Sequence, residues 1–373
     1  MDSSSSKIPV YLKLAQITIG LLAFFYILYI GQGIIIPFLL ATIVAILLNP
    51  IVNFLMSKNF NKILAIALAI LLATVVIGGV MFFIGSQLVM FSDSAPQFKE
   101  KLDEFAQNTI NWVSQTFNLS KPKIQQGIES AKDQGLKNGS AVITATLGAM
   151  GNIFTLLILM PVYIFLILFY KPLLLEFIAM LFQGPKKKIV EEVLYETKTL
   201  IQSYLIGLLT EAVIVATLIS AGLLIMGIEY AILMGIIAAL LNLIPYIGNM
   251  IAMVFPILMA LTTKEPSYAI WVIVLFSVVQ FIDNNLIVPK IVASKVNVNA
   301  LVSIIVVLIG GALWGVAGMF LSIPLTAILK VIFDRIDDLK PFGFLIGDNQ
   351  PRVGKVIFNF KGMEKRGKKK EEK

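Results

Sequence analysis

Residues 241–253 read LNLIPYIGNMIAM and lie inside an apolar stretch of the chain. They include polar and helix-weakening residues that are unusual at the centre of a membrane helix: Asn242, Pro245, Tyr246, Gly248 and Asn249. Proline removes a backbone donor and disfavours helix at the residue before it. Broken backbone at membrane depth is tolerated only where protein or a watery cavity satisfies it. The stretch therefore predicts the tip of a hairpin that faces a polar solute.

The composition around this stretch is that of a membrane protein. Hydrophobic residues make up 58% of the 373 residues and charged residues 14%, whereas about a quarter of a soluble domain is charged. Continuous apolar runs of about 18 or more residues recur, which is the membrane-helix signature. A β-barrel is disfavoured because its strands alternate. We predict an all-α polytopic membrane protein whose partners include the lipid bilayer and a small polar solute.

Six apolar runs are predicted to cross the bilayer: 14–30, 34–56, 63–91, 147–170, 200–226 and 268–288. The first is long for a signal-peptide core and has no cleavage pattern after it, so a retained span is expected. The predicted divisions are three spans in 1–91, an extramembrane arm in 92–146, a span and cytoplasmic amphipathic segment in 147–198, a transport core in 199–338 and a basic cytoplasmic tail in 339–373. The arm carries an amphipathic helical pattern: Phe98, Leu102, Phe105, Thr109 and Trp112.

Orientation follows the lysines that flank the spans. With a cytoplasmic amino terminus, most of them fall on one side: Lys7, Lys13, Lys58, Lys62, Lys171, Lys186, Lys187 and Lys188. Both termini are then expected in the cytoplasm. The formal net charge of +8 is explained by these lysines and the tail, so no nucleic-acid partner is expected.

Two further apolar segments, 229–262 and 299–333, are too long for simple spans. The first would be ~51 Å long at ~1.5 Å per residue, against a ~30 Å hydrocarbon core. In one interpretation both are kinked spans, giving eight crossings. In the other both are re-entrant hairpins whose tips meet near the midplane, as in many secondary transporters. The hairpins place Lys290 and Lys295 inside and are favoured by charge.

Polar residues near the end of the sixth run form a second constellation. Gln280, Asp283 and Asn284 are spaced i, i+3, i+4 and are expected on one helical face, next to Asn285. Asp283 and Glu211 are acids inside apolar stretches, where ionisable groups are expensive and usually functional. They are candidates for ion coupling. The alternatives are an interfacial cap for Asp283 and a hydrogen bond to a neighbouring helix for Glu211.

The second long segment contains IGGALWGVAGMF, residues 309–320. Its glycines permit close backbone approach and predict packing of the second hairpin against the first: Gly310, Gly311, Gly315 and Gly318. Trp314 at the tip either stacks on a solute or fills a gap. The chain has no cysteine or histidine and no P-loop, HExxH or GxSxG motif. No enzyme activity, cofactor or metal site is therefore expected.

The second half resembles the autoinducer-2 exporter family of bacterial membrane proteins. The resemblance rests on LNLIPYIGNMIAMVFPILMAL and on the region from FIDNNLIVPK to LSIPLTAILKV, and extends in layout over most of residues 10–338. Family-typical positions are Pro245, Tyr246, Gly248, Pro289, Gly311, Gly315, Gly318 and Pro324. Many members have proline where Asn249 stands and His-Pro where Asn299-Ala300 stands. The resemblance implies a homo-oligomeric transporter, with a pentamer as one arrangement.

These residues favour a secondary transporter of a small polar solute, and the resemblance implies export of a solute similar to autoinducer-2 across the bacterial inner membrane. The predicted solute contacts offer hydrogen bonds without net charge: Asn242, Tyr246, Asn249, Gln280, Asn284 and Asn285, together with Pro245, Gly248 and Trp314. One alternative is a sodium or lithium/proton antiporter that uses Asp283 and Glu211. Another is a non-transporting scaffold whose arm at 92–146 binds a partner.

Overall fold

The computed structural model describes residues 9–93, 159–182, 185–243, 248–292 and 298–348, and seven residues of the arm (104, 107, 108, 110, 111, 114 and 115). These residues are overwhelmingly helical and contain one isolated β-bridge, between Val298 and Gly347. Six helices among them are long and apolar enough to cross a membrane. The prediction of an all-α polytopic membrane protein is confirmed.

The helices follow one another along the chain with short connections. In order they are α1 (Val10–Ile30), α2 (Gln32–Ser57), α3 (Lys62–Asp93), α4 (Leu159–Leu181), α5 (Pro185–Ile225), α6 (Ala231–Asn242), α7 (Gly248–Ala252), α8 (Val254–Thr263), α9 (Ser267–Ile282), a π-helix (Asp283–Val292), α10 (Ala300–Arg335), a 3-10 helix (Asp337–Leu339) and α11 (Lys340–Ile346). The described residues of the arm are helical, but its amphipathic stripe, from Phe98 to Trp112, lies outside the described residues.

Four of the predicted spans coincide with long helices. They are α2, α3, α5 and α9 with its π-helical extension; the first predicted span is α1, whose apolar section is Leu14–Ile30. The fourth extends further than predicted, because α4 continues past Tyr170 to Leu181; residues 147–158 lie outside the described part. The start of the predicted tail is folded, since Phe342 of α11 contacts the ring of Phe333 at 6.1 Å between centroids.

Helix α5 is the central helix of the fold. It has 41 residues, so it is ~60 Å long at ~1.5 Å per residue and extends well beyond a ~30 Å hydrocarbon core. The predicted amphipathic segment and the fifth span are thus one continuous helix. Its projecting end is joined to the end of α10, where Arg335 forms ion pairs with Glu192 and Glu196.

Residues 228–263 form the first hairpin, built from α6, α7 and α8. With 12 residues, α6 is ~18 Å long and too short to cross a bilayer. The two ends of the hairpin lie side by side, because a Cβ on Gly227 would be 3.2 Å from the Lys264 ammonium nitrogen. At the turn a Cβ on Gly248 would be 1.7 Å from the carbonyl oxygen of Leu241. Only glycine permits this return of the chain.

Residues 300–335 form the second hairpin. The backbone leaves the helix at Trp314 (φ −135, ψ 16) and Gly315 (φ 61, ψ −141), and a positive φ is readily adopted by glycine. The two arms then lie against each other, since a Cβ on Gly310 would be 2.5 Å from the carbonyl oxygen of Gly318. The base is closed by Asn299, whose backbone N–H donates to the Ile346 carbonyl at 2.9 Å.

Both long segments are therefore hairpins, and the interpretation with two kinked spans is wrong. The glycine partners also differ from the prediction. Gly310 and Gly318 approach each other between the arms of one hairpin, and Gly311 faces the side chain of Met319. Gly315 forms the turn and has no atom within 4 Å of a Cβ position. The reason is that the two arms of a hairpin lie next to each other, so their glycines contact one another and not the neighbouring hairpin.

The first hairpin packs between α5 and α9. Buried side chains of these helices form one core cluster, with Ile219 of α5, Ala238 and Met259 of the hairpin and Phe276 of α9 all at most 3% exposed. Helices α5 and α6 approach closely at Gly235, where a Cβ would be 2.0 Å from the Ser220 hydroxyl oxygen. This packing fixes the end of α6 against α5.

Candidate functional site

Helix α5 contributes a buried carboxyl group, Glu211, which is 5% exposed. It is surrounded by apolar residues in the sequence, and its helix is buried here by α6 and the π-helix. Burial of a carboxylate is expensive unless other groups compensate for it.

Asp283 contributes a second buried carboxyl group and is 2% exposed. It lies at the junction between α9 and the π-helix, which begins at this residue. π-Helical turns are rare and occur frequently at functional sites. The widened turn packs against α5 and directs Asp283 toward Glu211.

Asn242 joins the two acids from the last position of α6. Its side-chain amide nitrogen donates to Glu211 Oε1 at 3.0 Å and to Asp283 Oδ2 at 3.1 Å. An amide nitrogen carries two hydrogens, so these bonds use its full donor capacity. Asp283 Oδ1 is buried and has no hydrogen-bond partner. We call Glu211, Asn242 and Asp283 the carboxylate–amide cluster.

The chemistry of this cluster follows from its charge. Two carboxylates sharing one amide repel each other in a region of low dielectric, and a single proton or monovalent cation would relieve that repulsion. Both carboxyl groups and the Asn242 carbonyl oxygen supply oxygen ligands, which hard cations prefer. In the described part of the chain no group of three or more acidic, histidine or cysteine side chains could hold a metal ion.

Tyr204 is a neighbour of this cluster that the predicted site did not include. It is 6% exposed and close enough to Glu211 to interact with its charge. The signal was present in the sequence, since Tyr204, Leu208 and Glu211 are spaced i, i+4, i+7 on one face of a helix. Its hydroxyl adds a polar group to an otherwise apolar wall.

The other predicted amides lie away from the cluster. Gln280 donates to Asn284 Oδ1 at 3.0 Å, and Asn285 donates to the Phe281 carbonyl at 2.8 Å. Asn284 and Asn285 are exposed, whereas Asp283 is buried. The prediction that Asp283 shares a helical face with Gln280 and Asn284 is therefore wrong. Asp283 is held by α5 and α6, and the π-helix starts there instead of continuing the α-helical spacing.

Several predicted positions belong to the two hairpin tips. Pro245, Tyr246 and the side chain of Asn249 lie outside the described residues, so their contact with a solute or with the second tip stays a prediction. Trp314 donates its indole N–H to the Leu28 carbonyl at 3.0 Å, which attaches the second tip to α1. Gly248 serves the close turn described above.

The remaining positions are two family-typical prolines and Asn299, at which the chain differs from the family pattern. Pro289 is exposed within the π-helix, and Pro324 is fully buried in the second arm of α10. Asn299 caps α10 by accepting from the Val302 N–H at 2.9 Å and donates to the Leu345 carbonyl at 2.6 Å. It lies at the base of the second hairpin, about 15 residues or roughly 20 Å before the tip. Its difference from the family pattern therefore falls at the hairpin base.

Comparison with known proteins gives a consistent assignment. A family model described as AI-2E family transporter matches residues 18–338. A Haemophilus influenzae protein named "Putative transport protein" is 27% identical over 90% of this chain and 97% of its own length. YueF of Bacillus subtilis, also named as a "Putative transport protein", is 25% identical over 80% and 83%. "AI-2 transport protein TqsA" of Escherichia coli is 23% identical over 84% and 90%.

Proposed function

The chain belongs to the AI-2E family of membrane transporters, and from this premise we propose that it is a secondary transporter whose carboxylate–amide cluster couples solute movement to a proton or a monovalent cation. The observation that carries the proposal is the position of Asn242. Asn242 lies near the tip of the first hairpin and donates hydrogen bonds to acids on two other helices. A movement of the hairpin would break or remake both bonds.

This arrangement links charge to conformation. When the pair of carboxyl groups holds a proton or a cation, the cluster loses its excess negative charge and the hairpin is stabilised against α5 and α9. When the pair is empty, repulsion between Glu211 and Asp283 favours separation of the elements that carry them. A ligand shifts such an equilibrium by its difference in affinity for the two conformations. The chain contains no P-loop motif, so an ion gradient is the fitting energy source.

We assign a small, uncharged polar solute to the hairpin tips. The residues of the first tip offer amide and hydroxyl groups, including Tyr246 and Asn249, and the relative named TqsA is described as a transport protein for AI-2. An exported, polyhydroxylated signal molecule of this kind fits such donors and acceptors. The bacterial inner membrane, with both termini in the cytoplasm, is the corresponding location.

A second candidate function is cation/proton antiport without an organic solute. The same cluster favours it, because two buried carboxyl groups and an amide oxygen are sufficient ligands for alternate binding of a proton and a sodium or lithium ion. The two functions share Glu211 and Asp283 and differ in the need for the amides and hydroxyl of the first tip.

A homo-oligomer is part of the proposal. Asn284 and Asn285 are exposed on the π-helix, and polar side chains that face lipid are unfavourable. A second copy of the chain against this surface would remove them from lipid.

The proposal is tested with purified protein in sealed liposomes. Efflux of autoinducer-2 and of a set of small polyols is measured under an imposed proton or sodium gradient. The wild type is compared with Glu211→Gln and Asp283→Asn, and with Glu229→Gln as a control because Glu229 is an exposed acid at the base of the same hairpin.

We expect gradient-driven flux in the wild type and the control, and at least a tenfold loss in both cluster variants. Loss of ion exchange in the absence of any organic flux assigns the second function. Equal flux in Asp283→Asn and the wild type contradicts coupling at the cluster. Absence of any flux would favour a scaffold, for which deletion of the arm at 92–146 is the corresponding test.

A further inference from the structure

A cavity of about 640 Å³ lies between α2, α4 and α5, apart from the carboxylate–amide cluster. Its walls are mainly apolar and include Ile46, Ile167, Leu168, Leu175 and Leu194. Thr197 and Lys198, on its α5 side, precede Glu211 by 14 and 13 residues, a separation of about 20 Å along the helix. The cavity is therefore a separate feature of the protein.

One part of the cavity is polar and partly buried. Lys171 donates its ammonium group to Asn49 Oδ1 at 2.9 Å, and Asn49 is only 6% exposed. The hydroxyl oxygen of Thr197 is buried and has no hydrogen-bond partner. A buried hydroxyl without a partner is unfavourable.

The charge of the cavity is positive. Three lysines and two acids line it: Lys171, Lys187, Lys198, Glu176 and Glu191. Both acids and Lys187 are exposed to solvent, so the partly buried Lys171 and Lys198 determine the charge of its interior. Lys198 is close enough to Lys171 for the two ammonium groups to repel each other, and Lys62 adds to this repulsion from outside the cavity. A bound anion would neutralise these ammonium groups and leave the solvated acids unaffected.

We propose that this cavity is a binding site for an anionic phospholipid of the cytoplasmic leaflet. Its phosphate group accepts hydrogen bonds from Lys171 and Lys198, and an acyl chain lies along the apolar wall. The lysine-rich end of α2, α4 and α5 is the side to which the sequence assigns the cytoplasm. Basic pockets between membrane helices on that side are suited to acidic lipid head groups. The inference does not depend on the transported solute.

A soluble phosphate would use the lysines but leave the apolar wall uncovered. A zwitterionic lipid would cover the apolar wall, but the cation of its own head group already neutralises the charge of its phosphate. An anionic phospholipid satisfies both parts of the cavity. Each basic residue near an anionic lipid contributes about fivefold to affinity, so removal of two charges is expected to weaken binding roughly 25-fold.

The test is native mass spectrometry of the full-length protein released from detergent. The protein is titrated with phosphatidylglycerol, with phosphatidylcholine of the same acyl chains, and with glycerol 3-phosphate. The charge variant is Lys171→Gln with Lys198→Gln, since glutamine keeps a donor for Asn49. The control is Lys58→Gln, an exposed lysine at the end of α2 that does not line the cavity.

We expect phosphatidylglycerol to bind more tightly than phosphatidylcholine, and its affinity to fall roughly 25-fold in the charge variant and less than twofold in the control. If the charge variant does not fold, Ala179→Leu fills the apolar wall and is expected to weaken phosphatidylglycerol binding while the lysines remain. Equal affinity for the two lipids overturns the proposal. So does full competition by glycerol 3-phosphate, which would indicate a site for a soluble phosphate, and so does unchanged binding in these variants.

Discussion

Replacement of Asn242 by leucine tests the carboxylate–amide cluster through protein stability. Leucine has the same number and branching of side-chain heavy atoms, but it offers no donor to Glu211 Oε1 or Asp283 Oδ2, which now accept from Asn242 at 3.0 and 3.1 Å. Leaving a buried acceptor without its partner costs about 1–3 kcal/mol, and more for a charged group. With two acceptors, the expected loss in the free energy of unfolding is about 2–6 kcal/mol.

The assay is equilibrium unfolding in mixed micelles with a rising fraction of sodium dodecyl sulfate, followed by circular dichroism of the helices. Asn53→Leu is the matched control, because Asn53 is exposed on α2 and lies outside the cluster. Its expected effect is below about 1 kcal/mol. A double-mutant cycle with Asp283→Asn adds specificity, since a neutral amide oxygen accepts more weakly than a carboxylate and should reduce the cost of Asn242→Leu.

The reasoning is refuted if Asn242→Leu unfolds at the same detergent fraction as Asn53→Leu. It is also refuted if the effects of Asn242→Leu and Asp283→Asn simply add. Additivity would mean that the amide and the carboxylate do not interact in the folded protein.

Three further predictions concern the second hairpin and are measured by the same unfolding assay. Gly318→Ala places a Cβ 1.9 Å from the carbonyl oxygen of Gly310 and is expected to cost at least about 1–3 kcal/mol. Gly315→Ala meets no atom, but its backbone (φ 61, ψ −141) lies in a region that essentially only glycine adopts, so it is also expected to cost about 1–3 kcal/mol. Unfolding of Gly318→Ala at the wild-type detergent fraction would contradict the close approach of the arms. Asn299→Ala removes a helix cap and its bonds to the last turn, with an expected cost of about 1–3 kcal/mol. Trp314→Phe removes one indole hydrogen bond and should cost about 1 kcal/mol; no change would show that the tip is not attached to α1.

The architecture was largely predictable because the lengths of apolar segments are set by the bilayer. Segments of 34 and 35 residues with helix-weakening centres predicted broken elements, and the structure folds both as hairpins. The carboxyl end of α4 was harder to predict than the hairpins, because its apolar run continues past the predicted span without a change of periodicity. The continuity of α5 was missed for a related reason: the polar residues before Leu200 predicted a separate segment, yet nothing after Pro185 interrupts the helix.

The site was predictable residue by residue but not as an arrangement. Glu211 and Asp283 stood out as acids in apolar stretches, and Asn242 as an amide at a hairpin tip. Their meeting depends on contacts across 31 and 41 residues of sequence, which local patterns do not encode. From the sequence, Asn242 was assigned to the solute and the two acids to an ion, whereas the structure places all three side chains in one cluster. Gln280 and Asn284 were grouped with Asp283 by spacing alone, and the π-helix separates them.

The central claim is that residues 228–263 enter and leave the membrane on one side, so that Asn242 reaches two buried acids from inside the bilayer. The chain contains no cysteine, and Glu229 and Lys264 are exposed at the two ends of this hairpin. The direct measurement is labelling of Glu229→Cys and Lys264→Cys, one at a time, in intact cells and in inverted vesicles with a membrane-impermeant maleimide. We predict that both cysteines react from the same side. Reaction from opposite sides would show that the segment crosses the membrane and would contradict the hairpin and the site built on it.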